Sequence, residues 1–149
     1  MVRSNHFALG AAAGLAAVSA LHAVWATGSC WPAADRQRLA DAVAGTQQMP
    51  GPAACWSLSA ALAAAAALNA GAGAGQRVAI VARAGVAATL LARAITGLSG
   101  RTHLLVPWTP SQRFIELDRR FYGPCCGLLA ALVGIGLRGR PAMPLKLPR

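Results

Sequence analysis

Histidine and tryptophan occur together in one long apolar stretch of this sequence. His22 and Trp25 are three residues apart, so on a helix their side chains share one face. An imidazole inside a membrane-spanning segment needs a hydrogen-bonding partner, and such residues commonly face the interior of a helix bundle. His22 is therefore a candidate for binding a ligand or for chemistry on a lipid-soluble substrate, and a structural hydrogen bond to a neighbouring helix explains it equally well. His6 and His103 form no metal-ligand spacing with it, and we expect no metal site and no cofactor.

The cysteines offer a second kind of chemistry. They include no Cys-x-x-Cys pair, which argues against a thioredoxin-like or quinone-linked disulfide enzyme. A bridge between Cys30 and Cys55 is open if their side of the membrane is oxidising, and simple burial at helix contacts is the alternative. The remaining thiols are adjacent in sequence, at Cys125 and Cys126.

Two arginines, Arg83 and Arg93, interrupt a third apolar stretch. Ten residues on a helix separate them by about 15 Å along the axis and about 80° around it, so they do not lie on one face. Because a charge within a bilayer is costly, each must reach the interface or find a partner. For Arg83 we predict that the side chain reaches the interface. For Arg93 the same prediction competes with an ion pair to Asp118 or Glu116.

The composition and the apolar segments of the sequence indicate that these side chains lie on or beside helices that cross a membrane. Of the 149 residues, 56% are hydrophobic and only 12% charged, against about 25% charged in an ordinary soluble domain. Four apolar segments are long enough to span about 30 Å of hydrocarbon, at about residues 7–31, 53–75, 78–98 and 121–137. The sequence therefore predicts an all-α, integral membrane four-helix bundle formed by residues 1–149 as one domain, with a basic, proline-rich tail at 138–149. An N-terminal signal peptide that leaves three spans is the competing interpretation.

The charges outside the spans give only weak information about the orientation of the protein in the membrane. Four spans put both termini on one side, and the Lys and Arg residues outside the spans divide evenly between the two sides. All four acids fall on the side away from the termini, so the positive balance favours cytoplasmic termini in a multi-pass cell-membrane protein. That side also carries Trp25, Trp31, Trp56, Trp108 and Tyr122, which form either an interfacial aromatic belt or the mouth of a small apolar cavity.

The chain resembles a family of small bacterial membrane proteins known as domain of unknown function 3995. The residues that carry the resemblance are Leu21–Gly28 with Trp31-Pro32, Met49-Pro50, Leu91–Gly97 and Phe114–Cys126. Cys125 replaces the family's usual Leu, and Thr96-Gly97 stands where the family tends to have Gly-Asp, so no role for an acid carries over to that position. The resemblance extends from about Leu9 to Val133 and implies a single four-helix membrane domain. It implies no activity.

The sequence lacks the signature motifs of several classes of function. The sequence has no phosphate-binding loop, nucleophile elbow or zinc-ligand set, and no acid within a span to relay protons. Although the net charge is +10, no basic helix or aromatic motif supports nucleic-acid binding. We expect a non-enzymatic module that binds a lipid, an apolar ligand, a membrane-protein partner or a second copy of itself. The candidate cluster is His22, Trp25, Arg93, Asp118, Arg120 and Tyr122. The alternative is a membrane-embedded enzyme or redox protein using His22 and the cysteines.

Overall fold

A computed structural model describes residues 3–138, with side chains from His6 onward, and within that range the chain is all-α without strands. The α-helices in chain order are α1 (Arg3–Ala26), α2 (Arg36–Ala44), α3 (Pro52–Ala70), α4 (Arg77–Leu98), α5 (Gln112–Leu117) and α6 (Gly123–Arg138). A 3₁₀ helix, Thr102–Leu104, follows α4, and a π-helical segment, Asp118–Tyr122, joins α5 to α6. Four stretches are long and apolar enough to cross a membrane, namely His6–Ala26, Pro52–Ala70, Arg77–Leu98 and Gln112–Arg138. The predicted fold class is confirmed.

The last spanning stretch, which consists of α5, the π-helical segment and α6, begins well before the apolar residues that predicted it. It starts at Gln112, where the Ser111 side chain accepts a hydrogen bond from the Phe114 N–H at 3.2 Å and caps the helix. Arg113, Glu116 and Arg119 are exposed, whereas Phe114 and Asp118 are buried, so one face of this charged stretch packs inward. Apart from Arg138, the predicted tail at 138–149 lies outside the described residues.

Small residues allow the spanning helices to approach closely. α1 packs mainly against α3 and also against α6, and α4 packs mainly against α6. Added Cβ atoms on Gly14 and Gly127 would lie 2.6 Å from Leu129 Cδ2 and 3.6 Å from Ala94 Cβ. These glycines belong to two Gly-x-x-x-Gly spacings, Gly10–Gly14 and Gly123–Gly127. Both spacings serve contacts within this bundle, where close backbone approach favours packing in the absence of a hydrophobic driving force.

Paired serines join α1 to α3 near the middle of the bundle. Ser19 Oγ donates to the Ser59 carbonyl at 2.8 Å, and Ser59 Oγ donates to the Ser19 carbonyl at 2.9 Å. Both side chains are buried. Each hydroxyl thus satisfies its hydrogen-bonding capacity without water, which a polar group in hydrocarbon requires.

Arg83 lies inside the bundle, contrary to the prediction that its side chain reaches the interface. It is 0% exposed, and its Nε donates to Asn69 Oδ1 at 3.3 Å. The Asn69 amide in turn donates to the Ala65 carbonyl at 2.9 Å. The neighbouring helices present Ala8 and Gly136 here, and an added Cβ on Gly136 would lie 3.1 Å from Arg83 Nη2. Small residues therefore provide room for a guanidinium that points inward.

The two ends of the bundle differ in construction. At one end, α3 turns directly into α4 through a glycine-rich turn in which Gly71, Gly73 and Gly75 have positive φ. At the other end, which we call the loop end, residues 27–51 and 99–111 form two long connections. α2 belongs to the first of these connections, so within residues 3–138 it is the loop end that has enough chain to build a site over the helices.

Candidate functional site

α2 is a well-formed short helix at the loop end. The Asp35 side chain accepts a hydrogen bond from the Arg38 N–H at 2.7 Å, and Gly45 ends the helix with φ of 69°. These are the capping interactions that a short helix requires. Leu39 of α2 is buried in an apolar cluster with Trp25 and Cys55, which fixes α2 over the ends of α1 and α3.

Three groups from the second connection and the last helix bind the C-terminal end of α2. Tyr122 Oη donates to the Ala42 carbonyl at 3.1 Å, and Trp108 Nε1 donates to the Ala44 carbonyl at 3.0 Å. The Ser111 N–H donates to the Gly45 carbonyl at 3.0 Å. Since the last carbonyls of a helix have no partners within it, these bonds satisfy them and hold α2 against residues 99–122.

A cavity of about 290 Å³ lies beneath α2. Most of its lining is apolar or aromatic, and His22, Arg93 and Thr102 are the polar side chains that reach it, apart from the Cys55 thiol. Ligand pockets typically measure about 300–1,000 Å³ and combine apolar walls with a few polar groups. This cavity is at the lower end of that range. The remaining lining residues are Trp25, Val43, Ala44, Met49, Pro50, Ala54, Leu58, Leu105, Val106, Trp108 and Phe114.

His22 and Trp25 form one wall of the cavity, as their spacing predicts. Their ring centroids are 4.9 Å apart in an edge-to-face arrangement. His22 Nδ1 lies 2.8 Å from the Val18 carbonyl oxygen, and Trp25 Nε1 donates to the Trp31 carbonyl at 2.7 Å. Because a carbonyl can only accept, Nδ1 carries a proton, and the neutral ring then has Nε2 as a hydrogen-bond acceptor.

Arg93 and Asp118 form a two-pronged ion pair on the opposite wall. Arg93 Nη1 and Nη2 lie 2.8 and 2.7 Å from the two carboxylate oxygens. Asp118 is 0% exposed, whereas 26% of the Arg93 side chain is exposed and lines the cavity. The Thr102 hydroxyl also donates to Asp118. Of the two interpretations for Arg93, the structure therefore supports the ion pair, with Asp118 as its partner.

Backbone geometry makes room for this pair. An added Cβ on Gly97 would lie 2.7 Å from Asp118 Oδ1 and 3.0 Å from Arg93 Nη1, so only glycine fits there. Asp118 begins the π-helical segment, in which the Gly123 N–H donates to the Asp118 carbonyl. Such segments occur frequently at functional sites. The Arg93 guanidinium also lies over the Phe114 ring, 6.0 Å from its centroid.

The structure brings together part of the predicted cluster. His22, Trp25 and Arg93 line the cavity, and Asp118 lies directly behind Arg93. Tyr122 is half-buried, and its hydroxyl binds α2. Arg120 is exposed and lines no part of the cavity. Trp31 and Trp56 are also exposed, which suits an interfacial belt.

Cys30 and Cys55 are not bridged in this structure, and the bridge that the sequence leaves open stays a prediction. Both thiols are free, with Cys30 Sγ donating to the Ala34 carbonyl at 3.8 Å and Cys55 Sγ to the Pro50 carbonyl at 3.7 Å. Cys55 is 3% exposed in the apolar cluster under α2, as expected of a small buried thiol. Within residues 6–138, no three His, Cys, Asp or Glu side chains converge on a potential metal position.

Sequence reasoning did not identify Thr102 or Phe114 as site residues. Thr102 is 1% exposed and orients the Asp118 carboxylate. Its spacing from Asp118 follows no helical periodicity, because a 3₁₀ helix and a loop separate the two. Phe114 could have been found, since Phe114, Asp118 and Tyr122 recur every four residues and so share a helix face.

Comparison with known proteins identifies the family. Residues 15–133 match the model for the family described as protein of unknown function (DUF3995). The match covers most of the chain, which therefore belongs to this family. No similar protein was found among the curated proteins, and none among the solved structures.

Proposed function

We propose that this DUF3995 protein is a multi-pass membrane module that holds the head of an apolar ligand in the cavity beneath α2. The observation that carries the proposal is the cavity itself, which combines apolar and aromatic walls with two polar groups, His22 and Arg93, that face it from different helices. Such a combination is typical of small-molecule sites. The size of the cavity suits a ring or head group, with the rest of a longer ligand outside.

Exposed apolar residues at the edge of the cavity support this proposal. Leu58 and Leu105 line the cavity and are nevertheless 47% and 48% exposed. In a membrane such exposed apolar surface contacts lipid. A ligand dissolved in the bilayer can therefore reach the cavity laterally, between α3 and the 99–111 connection, without crossing water.

The experiment that tests the proposal is photolabelling of the purified protein in lipid nanodiscs with a small apolar aryl diazirine. We expect adducts on Met49, Leu58 and Val106 that an excess of unlabelled probe suppresses, because the site is saturable. Adducts on lipid-facing Val81, which is 70% exposed, should not be suppressed. Labelling that is equally unsaturable at both places would refute the proposal.

A matched pair of variants localises the labelling. Both alanines at the start of α3 are exposed, but Ala54 lines the cavity and its neighbour Ala53 does not. Ala54→Phe should fill the cavity and remove the saturable adducts, and Ala53→Phe should leave them. Loss of the adducts in both variants would point to a general disturbance of α3 and count against a site under α2.

The redox alternative keeps one supporting observation, since His22 and Cys55 line the same cavity. If the protein has a thiol-dependent redox function, Cys55→Ala should abolish its redox activity, and saturable labelling of the cavity should persist. If blocking all thiols changes neither the redox activity nor the saturable labelling, the binding module is the better description of the protein.

Orientation is part of the proposal, with both termini in the cytoplasm. Thr109 and Ala74 are exposed residues in the connections at opposite ends of the bundle. In intact cells, a membrane-impermeant maleimide should label Thr109→Cys above the wild-type level, and should label Ala74→Cys only after lysis. The reverse pattern would invert the orientation without affecting the binding proposal.

A further inference from the structure

The cavity presents a charged residue whose charge is already balanced. Arg93 Nη1 donates to Asp118 Oδ2, Arg93 Nη2 lies 2.7 Å from Asp118 Oδ1, and this carboxylate is wholly buried. The wall therefore carries a cation and an anion in direct contact and no net charge. Because moving an unpaired charge out of water is costly, such a wall does not compensate an anionic or a cationic head group.

The same wall retains hydrogen-bonding capacity. A guanidinium has five N–H donors, and the hydrogen bond from Nη1 to Asp118 Oδ2 uses one of them. The Arg93 side chain is partly exposed toward the cavity, so its remaining donors can bind an uncharged oxygen there. On the other wall, His22 Nδ1 is bonded to the Val18 carbonyl, so in a neutral imidazole Nε2 is the acceptor.

We propose that the ligand is an uncharged amphiphile with a hydroxyl-bearing head, which donates to His22 and accepts from Arg93 while its hydrocarbon tail leaves past Leu58 and Leu105. This inference depends on the proposed function, since it names the ligand class of the same cavity. A hydroxyl is the smallest group that both donates and accepts, and it fits a cavity of about 290 Å³ that offers one partner of each kind.

The test uses competitors with the same dodecyl tail and different heads against the aryl diazirine in nanodiscs. The competitors are dodecanol, dodecyl methyl ether, dodecyl sulfate and dodecyltrimethylammonium, each at a few mole per cent of lipid. Dodecanol should suppress the saturable adducts at a mole fraction roughly tenfold or more below either charged competitor, because a net charge gains no partner in the site. The ether, which accepts but cannot donate, should be roughly threefold to tenfold weaker than dodecanol.

Two variants assign the polar contacts. His22→Phe should remove the difference between dodecanol and the ether, because the acceptor is lost. The double variant Arg93→Gln with Asp118→Asn keeps an uncharged, hydrogen-bonded pair, so it should retain the preference for dodecanol. If Arg93 instead recognised anions, dodecyl sulfate would compete best with the wild type and lose that advantage in the double variant.

The outcomes separate this inference from the proposed function. If the labelling is saturable but dodecyl sulfate or dodecyltrimethylammonium suppresses it as well as dodecanol does, the proposed ligand class is wrong and the proposed binding site stands. Saturable labelling in which ether and alcohol compete equally would overturn the role of His22 as acceptor. Absence of saturable labelling would overturn both proposals.

Discussion

Arg83 and Arg93 belong to the same helix, yet their burial and their bonding partners differ. Arg83 is completely buried among small residues, and its Nε binds the neutral amide of Asn69. Arg93 faces a cavity and binds the carboxylate of Asp118. The first arginine is enclosed by the packing of the spans, whereas the second is enclosed by connections outside them, including Thr102.

This difference shows that the position of a charge in a span does not reveal its role. Both arginines are costly in a membrane, and both have found polar partners. Only Arg93 combines a partner with access to open space, which is what a ligand requires. We therefore expect substitutions at the Arg93 site to affect stability and binding together, and substitutions around Arg83 to affect stability alone.

The largest expected effect compares the two arginines directly. Arg93→Met leaves the wholly buried Asp118 carboxylate without its cation, and removing one partner of a buried pair costs about 3–5 kcal/mol. The contacts of Arg83 include a hydrogen bond to the neutral Asn69 amide, whose unpairing costs less than that of a buried carboxylate, so we expect a smaller loss for Arg83→Met. Unfolding of the purified variants in mixed detergent and dodecyl sulfate micelles measures both. The comparison fails if Arg83→Met destabilises the protein as much as Arg93→Met.

A second prediction concerns the glycines of α4. Gly97→Ala would place a Cβ 2.7 Å from Asp118 Oδ1 and displace the ion pair, at a cost of about 1–3 kcal/mol typical of overpacking. Gly85, in the same helix, has nothing within 4 Å of an added Cβ. Gly85→Ala should therefore be neutral, or stabilising by up to about 1 kcal/mol through helix propensity. Equal effects in the same unfolding assay would show that the helix, and not the site, governs this position.

The binding of α2 supports a smaller effect. Tyr122→Phe removes the hydrogen bond to the Ala42 carbonyl and should cost about 1 kcal/mol. Hydrogen exchange should show faster exchange in α2, around Leu39 and Ala40, with little change around Arg83. Phe121→Leu is the control, because Phe121 is 54% exposed. Unchanged exchange in α2 would mean that Trp108 and Ser111 hold this helix without the tyrosine.

The smallest expected effect lies between the two arginine sites. Ser19→Ala removes one arm of the serine pair that joins α1 to α3, and hydrogen bonds between membrane helices average about 0.6 kcal/mol. Exposed Ser57 provides the control substitution, Ser57→Ala. A loss for Ser19→Ala as large as that for Gly97→Ala would show that the middle of the bundle is as sensitive as the cavity end.

Most of the fold follows from local patterns in the sequence. Runs of apolar residues predict the four spans. The charge at Arg93 predicts either a side chain that reaches the interface or an ion pair with a nearby acid, and the structure has the ion pair. The burial of Arg83 was missed, since it depends on Ala8 and Gly136 lying opposite, and both belong to other helices.

The sequence offers a cavity only as one of two interpretations of the aromatic residues, and the position and cover of the cavity could not be predicted. It exists because α2 folds back over the spans and is held by Trp108 and Tyr122, each more than sixty residues away in sequence. Pairings of this kind leave no periodicity in the sequence. The residues on one helix, His22 and Trp25, were identifiable, whereas Thr102 became recognisable only through its contact with Asp118.

The attachment of α2 has a consequence for the biosynthesis of the protein. The ribosome completes α1, α2 and α3 before it synthesises Trp108, Ser111 and Tyr122, the groups that bind the end of α2. A nascent chain that has inserted its first two spans therefore lacks the far wall of the cavity and the bonds that hold its cover. Since domains fold as units from the N-terminus during synthesis, we expect the cavity to be completed only after the fourth span has been synthesised, and a chain truncated before that point to lack it.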